Sequence, residues 1–328
     1  MTTVRTFLIG TRGSLLATTQ SGHVRDGITA QNLSAELHIV HTPGDASQAA
    51  QTPVAKIGIG VFTETLRLAL ANGECDIAVH SFKDLPTAPD PRFKTVVPPR
   101  VDAREVLVSV NNTPLLELPQ GAKVGTGAPR RVSQILAARP DLQCVPIRGN
   151  ITTRMDRVGE DLDAVVLARA GLDRAGLLDR AAESIDPNLI IPAPAQGALS
   201  VEVRADDEEA WAAVALLDHS PSHAQALAER AILSTLEAGC SAPVAAHSTV
   251  SLSDDASSAT LTVTGGAFAL DGSDSLVRSA TVTIPLGGTG TLADSTWPEA
   301  AEIARAAGRA IGQELLDAGA ERLMAADN

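Results

Sequence analysis

Four short polar clusters carry the residue types that could do chemistry in this chain. They are Thr11-Arg12-Gly13-Ser14, His80-Ser81-Phe82-Lys83-Asp84, Gly125-Thr126-Gly127 with Arg130-Arg131, and Arg148-Gly149-Asn150. Three contain arginine, whose planar fork grips a carboxylate at two points. Three lead into a helix start, where free N–H groups and the dipole favour an anion. Singly, each reads as a capped helix with a solvated arginine. Together, at equivalent places, they outline an interdomain cleft lined with cations. By itself Asp84 reads as a helix cap or as the partner of Lys83. Lys83 could bind a carboxylate or form a Schiff base; the second needs a desolvated amine, which a neighbouring carboxylate opposes, so anion binding is the better reading. Cys240 follows Gly239 at the end of a predicted helix, where the dipole does not promote a thiolate. That suits a permanent thioether better than a turnover nucleophile, with a buried structural cysteine as the alternative.

The elements that would position these clusters alternate. Val4–Ile9, Glu36–His41 and Asp76–His80 read as strands, with helices after Gly13–Ser14 and from Phe62 to Leu70, the latter stopping at Asn72–Gly73. A second block repeats the scheme: strands at Glu105–Val110, Ala122–Gly125, Gln143–Ile147 and Asp163–Ala168, a helix beginning at Pro129 and another after Asn150. This βαβα order predicts parallel sheets with helices on both faces and ligands beyond the strands' carboxyl ends. Pro192-Ala193-Pro194 interrupts it before a strand at Ala198–Arg204, a place for a crossing between domains. The last third differs. After a helix near Ser222–Glu237, alternating stretches at Ser248–Leu252, Thr260–Ala267 and Val277–Ile284 predict a three-stranded antiparallel sheet, closed by a helix from Pro298 to about Met324.

Composition bounds the partners. At 328 residues, with 44% hydrophobic and 20% charged residues, the chain reads as a soluble protein of two or three domains. Aromatics are 2% and tyrosine is absent, so cores must be aliphatic and base stacking on nucleic acid is disfavoured. A net charge of −13 also disfavours a polyanionic backbone. Cys75, Cys144 and Cys240 form no CxxC pair, so neither a metal site nor a disulfide framework is expected. No stretch has the length of a membrane span, and the N-terminus lacks a signal-peptide core; a cytoplasmic monomer is the expectation.

The motifs as a set resemble the hydroxymethylbilane synthase (porphobilinogen deaminase) family. Asp76-Ile-Ala-Val-His-Ser-Phe-Lys-Asp-Leu-Pro86 looks like its active-site strand and loop, and Glu237-Ala-Gly-Cys-Ser-Ala-Pro243 its cofactor-attachment loop. Thr11–Ser14, Arg130-Arg131, Arg148–Asn150, Leu167–Gly176 and Gln196-Gly197-Ala198 match in order and spacing, so that the resemblance runs from about residue 5 to 245. It implies two α/β domains like the halves of a type-II periplasmic binding protein, plus a small C-terminal α+β domain. The expected division is 1–98 with 198–216, then 99–197, then 217–328. It implies four porphobilinogen molecules joined head to tail with loss of ammonia, grown on a dipyrromethane cofactor bound through Cys240 and released by water as hydroxymethylbilane. Asp84 is the implied catalytic residue: a fixed carboxylate stabilises the electron-poor azafulvene and the pyrrole cation that follows. Lys83, Ser81, Arg130, Arg131, Arg148 and Asp84 are expected around the cofactor, and Arg12, Ser14, Arg148, Arg154, Arg169 and Gln196 around substrate; Arg174 is a lesser candidate.

Three places depart from the family pattern. Lys56–Phe62 is one residue short, Gly127-Ala128-Pro129 stands where paired serines and a leucine are usual, and Ala195 replaces a customary glycine. The competing reading is a two-lobed binding protein for a small anion without catalysis; a Lys83-dependent dehydratase is the remoter one.

Overall fold

Short runs of β-branched and aliphatic residues build two five-stranded sheets of the same order. The structure, a computed structural model, describes residues 5–41, 61–239, 242–286 and 295–325. The first sheet has the order β2-β1-β3-β10-β4, from β1 (Thr6–Thr11), β2 (Ser34–Ile39), β3 (Ile77–Ser81), β4 (Phe93–Val96) and β10 (Leu199–Arg204). The second has the order β7-β6-β8-β5-β9, from β5 (Glu105–Ser109), β6 (Lys123–Gly125), β7 (Gln143–Val145), β8 (Ala164–Ala168) and β9 (Glu183–Ser184). Each is a parallel trio joined to one reversed strand. β10 runs antiparallel to β3 and β4, and β5 antiparallel to β8 and β9. The sheets are therefore mixed rather than parallel throughout, which corrects the sequence expectation. An apolar run specifies burial on both faces but carries no sign of its direction. The edge strands β4 and β9, four and two residues long, carry no periodicity to read.

Four expected helices sit between these strands, α1 (Leu15–Thr29), α2 (Val61–Ala71), α3 (Pro129–Ala138) and α4 (Ile151–Met155), and with them two that the sequence reading did not give, α5 (Arg169–Arg174) and α6 (Glu208–Ala215). Ser14 caps α1 by accepting from the Ala17 N–H, and Pro129 opens α3, where its missing donor costs nothing. Gly73, at φ +74°, ends the α2 segment. The cores are aliphatic as composition requires: Ile9, Ile28, Ile77, Val201 and Val203 are fully buried in the first block, Leu107, Val124, Ile135 and Val166 in the second.

The third sheet is β11 (Val244–Leu252), β12 (Ser258–Phe268) and β13 (Ser275–Pro285), antiparallel and in sequential order. One face buries Ala259, Leu261 and Val263, while the other pairs hydroxyls across the strands, Thr262 with Thr281 and Thr264 with Ser279. Helices α7 (Ser220–Thr235) and α8 (Trp297–Asp317) supply Ile232 and Ile311, whose methyls approach Gly265 so closely that a Cβ there would lie within 2.8 and 2.9 Å of them. The closing helix is not continuous to Met324. Gly319, at φ +93°, separates α8 from α9 (Ala320–Met324). The chain groups into two compact units: Met1–Arg100 with Ala198–His223 and Leu286–Trp297, and Val101–Gly197 with Ala224–Pro285 and Pro298–Asn328.

Candidate active site

In the first unit the parallel register of β1 and β3 (Ile9 opposite Ile77, Gly10 opposite Ala78) brings their carboxyl ends to one edge of the sheet. Arg12 and Ser14 follow β1 there, and Ser81 to Asp84 follow β3. The Asp84 loop is a single 3-10 turn, Phe82–Asp84, anchored at its root. Phe82 is buried, and its N–H donates to the Ala198 carbonyl at 3.1 Å. Ser81, half-buried, accepts from Gln20 Nε2 of α1 at 3.0 Å. Lys83 is half-buried and Asp84 is exposed. A carboxylate exposed on an anchored turn, next to Lys83 in the chain, can meet a cationic centre without first moving the backbone.

Below this edge lies an ion cluster that sequence reasoning missed. Arg67 Nε and Nη2 donate to Glu202 Oε2 and Oε1 at 2.9 and 2.6 Å, and His80 Nε2 stands 3.4 Å from Oε2, close enough for an ion pair but without hydrogen-bond geometry. All three side chains are buried. Burial alone would raise the Glu202 carboxyl, but the paired Arg67 and the nearby His80 outweigh it and hold it at about 2. A depressed carboxyl contributes stability above its unfolded pKa and loses it as pH falls through the folded one. The window here runs from about 4.5 down to about 2, and the shift corresponds to roughly 3 kcal/mol. Glu202→Gln should therefore melt lower at pH 7, with the gap to the parent narrowing across that window; a gap unchanged between pH 6 and pH 2.5 would refute the assignment. The signal available in the sequence was an acid inside an apolar strand, Leu-Ser-Val-Glu-Val-Arg.

In the second unit β6 pairs in parallel with both β7 and β8, so the residues after all three strands share an edge. Thr126 follows β6, Arg148 follows β7, and Arg169 follows β8. Arg130 and Arg131, in the first turn of α3, are buried and both bind Glu105 of β5, each Nη2 at 2.7 Å from one carboxylate oxygen. Arg131 Nη1 also donates to the Val166 carbonyl at 3.0 Å. Burial lowers the Arg130 guanidinium to about 10, against the pull of Glu105 and with the push of Arg131. Glu105, fully buried, is a further residue the sequence reading missed. Gly127 passes so close to the Ile147 carbonyl that a Cβ would lie 2.7 Å from it, which explains a glycine at this place.

The remaining arginines differ in freedom. Arg148 is exposed in a turn where Gly149 has φ +109° and Asn150 caps α4 by accepting from the Thr153 N–H. Arg154 is half-buried, its Nε donating to the Gly149 carbonyl at 2.7 Å. Arg169 donates to Ser184 Oγ at 3.2 Å and lies 3.5 Å from Asp102. Arg174 donates to the Gly197 carbonyl at 2.8 Å, and burial lowers it to about 10. Gln196 is fully buried, its Nε2 donating to the Ala103 carbonyl at 2.7 Å. Cys240 and Lys56–Gly60 lie outside the described residues. Cys75 and Cys144 have burial-raised thiols, at about 12 and about 11, as structural cysteines should. Among the described residues no group of His, Cys, Asp and Glu could hold a metal ion, and no helix is long and apolar enough to cross a membrane.

Comparison with known proteins covers nearly all of this. Residues 7–212 match the model of the porphobilinogen deaminase dipyromethane cofactor binding domain, and residues 223–317 that of the porphobilinogen deaminase C-terminal domain. A porphobilinogen deaminase of Corynebacterium glutamicum is 53% identical over 320 residues, 97% of this chain and 98% of that one. One from Nocardia farcinica is 50% identical, covering 96% and 87%. A periplasmic substrate-binding protein from Coxiella burnetii aligns over 68% of this chain and 96% of its own, with 17% identity and a TM-score of 0.39.

Proposed function

The chain belongs to the porphobilinogen deaminase family, and from that membership we propose how its residues divide the work. The activity is that of a hydroxymethylbilane synthase, a transferase of tetrapyrrole biosynthesis: four porphobilinogen molecules condense head to tail with release of ammonia, and hydrolysis yields hydroxymethylbilane. A covalent dipyrromethane cofactor, when bound, supplies the pyrrole terminus to which the first substrate is joined. Its acid arms call for cations, and the donor set suits them: Lys83 and Arg12 at one sheet edge, Arg148 and Arg154 at another. The small-anion binding protein without catalysis is not favoured by the family match.

The observation that carries the assignment of roles is the exposed carboxylate of Asp84 on a turn anchored by buried Phe82. Asp84 stabilises the cation left on substrate pyrrole as ammonia departs, and holds the proton lost when the new bond forms at its carboxylate oxygens. Cys240 is the thioether anchor. Ser81, Lys83, Arg130, Arg131 and Arg148 hold the cofactor carboxylates; Arg12, Ser14, Arg148, Arg154 and Arg169, with Gln196 in the buried turn, serve the substrate. Among the described residues Arg130 and Arg131 share the carboxylate of Glu105, so that this trio carries one surplus positive charge, suited to one ligand arm. We assign the enzyme to the cytoplasm as a monomer.

Intact-protein mass tests this directly. The purified chain should carry a dipyrrole adduct that is missing from Cys240→Ser. A bare parent that stays bare after incubation with porphobilinogen would end the proposal.

A further inference from the structure

A buried turn in the second unit holds a backbone conformation that its sequence does not favour. Ala195, completely buried, adopts φ +60°, and Gly197 two residues later adopts φ +86°. For glycine the left-handed region is free of strain. For alanine it persists only where the surroundings over-determine it. What over-determines it is visible. The Ala195 N–H donates to Glu229 Oε2 at 2.7 Å, and Glu229 is itself completely buried on α7. The other carboxylate oxygen, Oε1, accepts from the Ser248 hydroxyl of β11 at 2.6 Å, while Gln225 of α7 donates to the Ser248 carbonyl at 2.8 Å. Both carboxylate oxygens are thereby engaged.

The turn is in contact with candidate ligand residues. The Gly197 carbonyl receives Arg174 Nη2 at 2.8 Å. Gln196 Nε2 binds the Ala103 carbonyl at 2.7 Å, and the next carbonyl, that of Arg104, receives the Arg169 N–H at 3.0 Å. Gly197 leaves no slack either: a Cβ there would lie 2.5 Å from the Val101 carbonyl oxygen. A change of conformation at Ala195 would therefore shift Gln196, the backbone before β5, and the seats of Arg169 and Arg174. The same helix α7 ends five residues before Cys240 in the chain.

We propose that Glu229 is a positioning residue for the reaction: it holds the left-handed Ala195–Gly197 turn, and through that turn the arginines at its borders. Glu229 acts on no substrate atom. Its carboxylate replaces the conformational freedom that a glycine at 195 would have provided. The inference rests on the hydroxymethylbilane synthase reading, and the experiment separates the two.

Steady-state kinetics with porphobilinogen, measured well below every melting temperature, test it on holoenzyme whose adduct is verified by mass. Glu229→Ala should keep the adduct and lose tenfold or more in kcat/KM. Glu229→Gln, which retains an acceptor oxygen for the Ala195 N–H, should regain most of that loss. Adding Ala195→Gly to Glu229→Ala should regain at least threefold, because a glycine turn needs less external support. A Glu229→Ala enzyme with a lowered Tm but parental kcat and KM overturns the proposal, as does failure of Ala195→Gly to restore activity. If Glu229→Ala does not fold, Ser248→Ala removes one bond to the carboxylate and leaves the Ala195 N–H contact in place. It should cost about threefold in kcat/KM, again relieved by Ala195→Gly, and parental kinetics there overturn the proposal equally. A parent enzyme without turnover would instead sink the family-based reading.

Discussion

Asp84→Ala should fold, carry its adduct on Cys240, and turn over porphobilinogen at least about a hundredfold more slowly than the parent. The magnitude follows from what the carboxylate does. A fixed charge opposite a charge that develops in the transition state contributes roughly 10²–10³ in rate, and a positioned proton acceptor a comparable factor. The fold should not notice. Asp84 is exposed on its turn, and the backbone bond of Phe82 that anchors the turn is left alone by the substitution. Asp84→Asn separates the two contributions further, since the amide keeps the shape but neither the charge nor the basicity. Stopped-flow and steady-state assays against the parent, with a melting curve for each variant, measure both. Turnover within about threefold of the parent would remove Asp84 from the mechanism.

The second large effect falls on stability. Glu105 pairs with the buried guanidiniums of both Arg130 and Arg131, each contact at 2.7 Å. Removing one partner of a buried ion cluster leaves uncompensated charge in a poor dielectric, and such losses run to about 3–5 kcal/mol. Here two like charges remain, so Glu105→Ala should sit at the upper end, lowering Tm by on the order of 10 °C. The control is the combined variant in which Glu105→Ala is accompanied by Arg130→Met and Arg131→Leu. With no charge left to strand, it should melt above the single variant, though it should not support turnover. A single variant melting within about 2 °C of the parent would show that the arginines find other partners and that Glu105 does not hold them.

These two residues mark the boundary of what could be read without the fold. Asp84 stood out as a candidate because its motif is local: His80 to Pro86 form one strand end and one turn, and such a pattern survives in a linear string. The same holds for Ser14 at the head of α1, for Pro129 opening α3, and for the three strands of the last sheet, whose alternation is written in consecutive residues. Arg12 and Arg148 were legible as followers of strands, because ligand residues of α/β sheets gather beyond strand carboxyl ends; Arg169 came forward only through the family resemblance.

What tertiary structure decided is of another kind. Arg67 meets Glu202 across 135 positions of sequence, Arg131 meets Glu105 across 26, and Ala195 meets Glu229 across 34. No periodicity encodes such pairs, since burial of a polar group is announced only by an odd residue in an apolar run and its partner is chosen by packing. Strand direction was hidden for a related reason: a run such as Leu199–Arg204 is equally buried whichever way it points. The sequence by itself thus marked the candidate residues for the chemistry and the order of the longer strands and helices. Packing alone determined which way the strands run, which arginines are spent on buried carboxylates, and which turn is held out of its preferred conformation, because each of these depends on groups that meet only after the chain has folded.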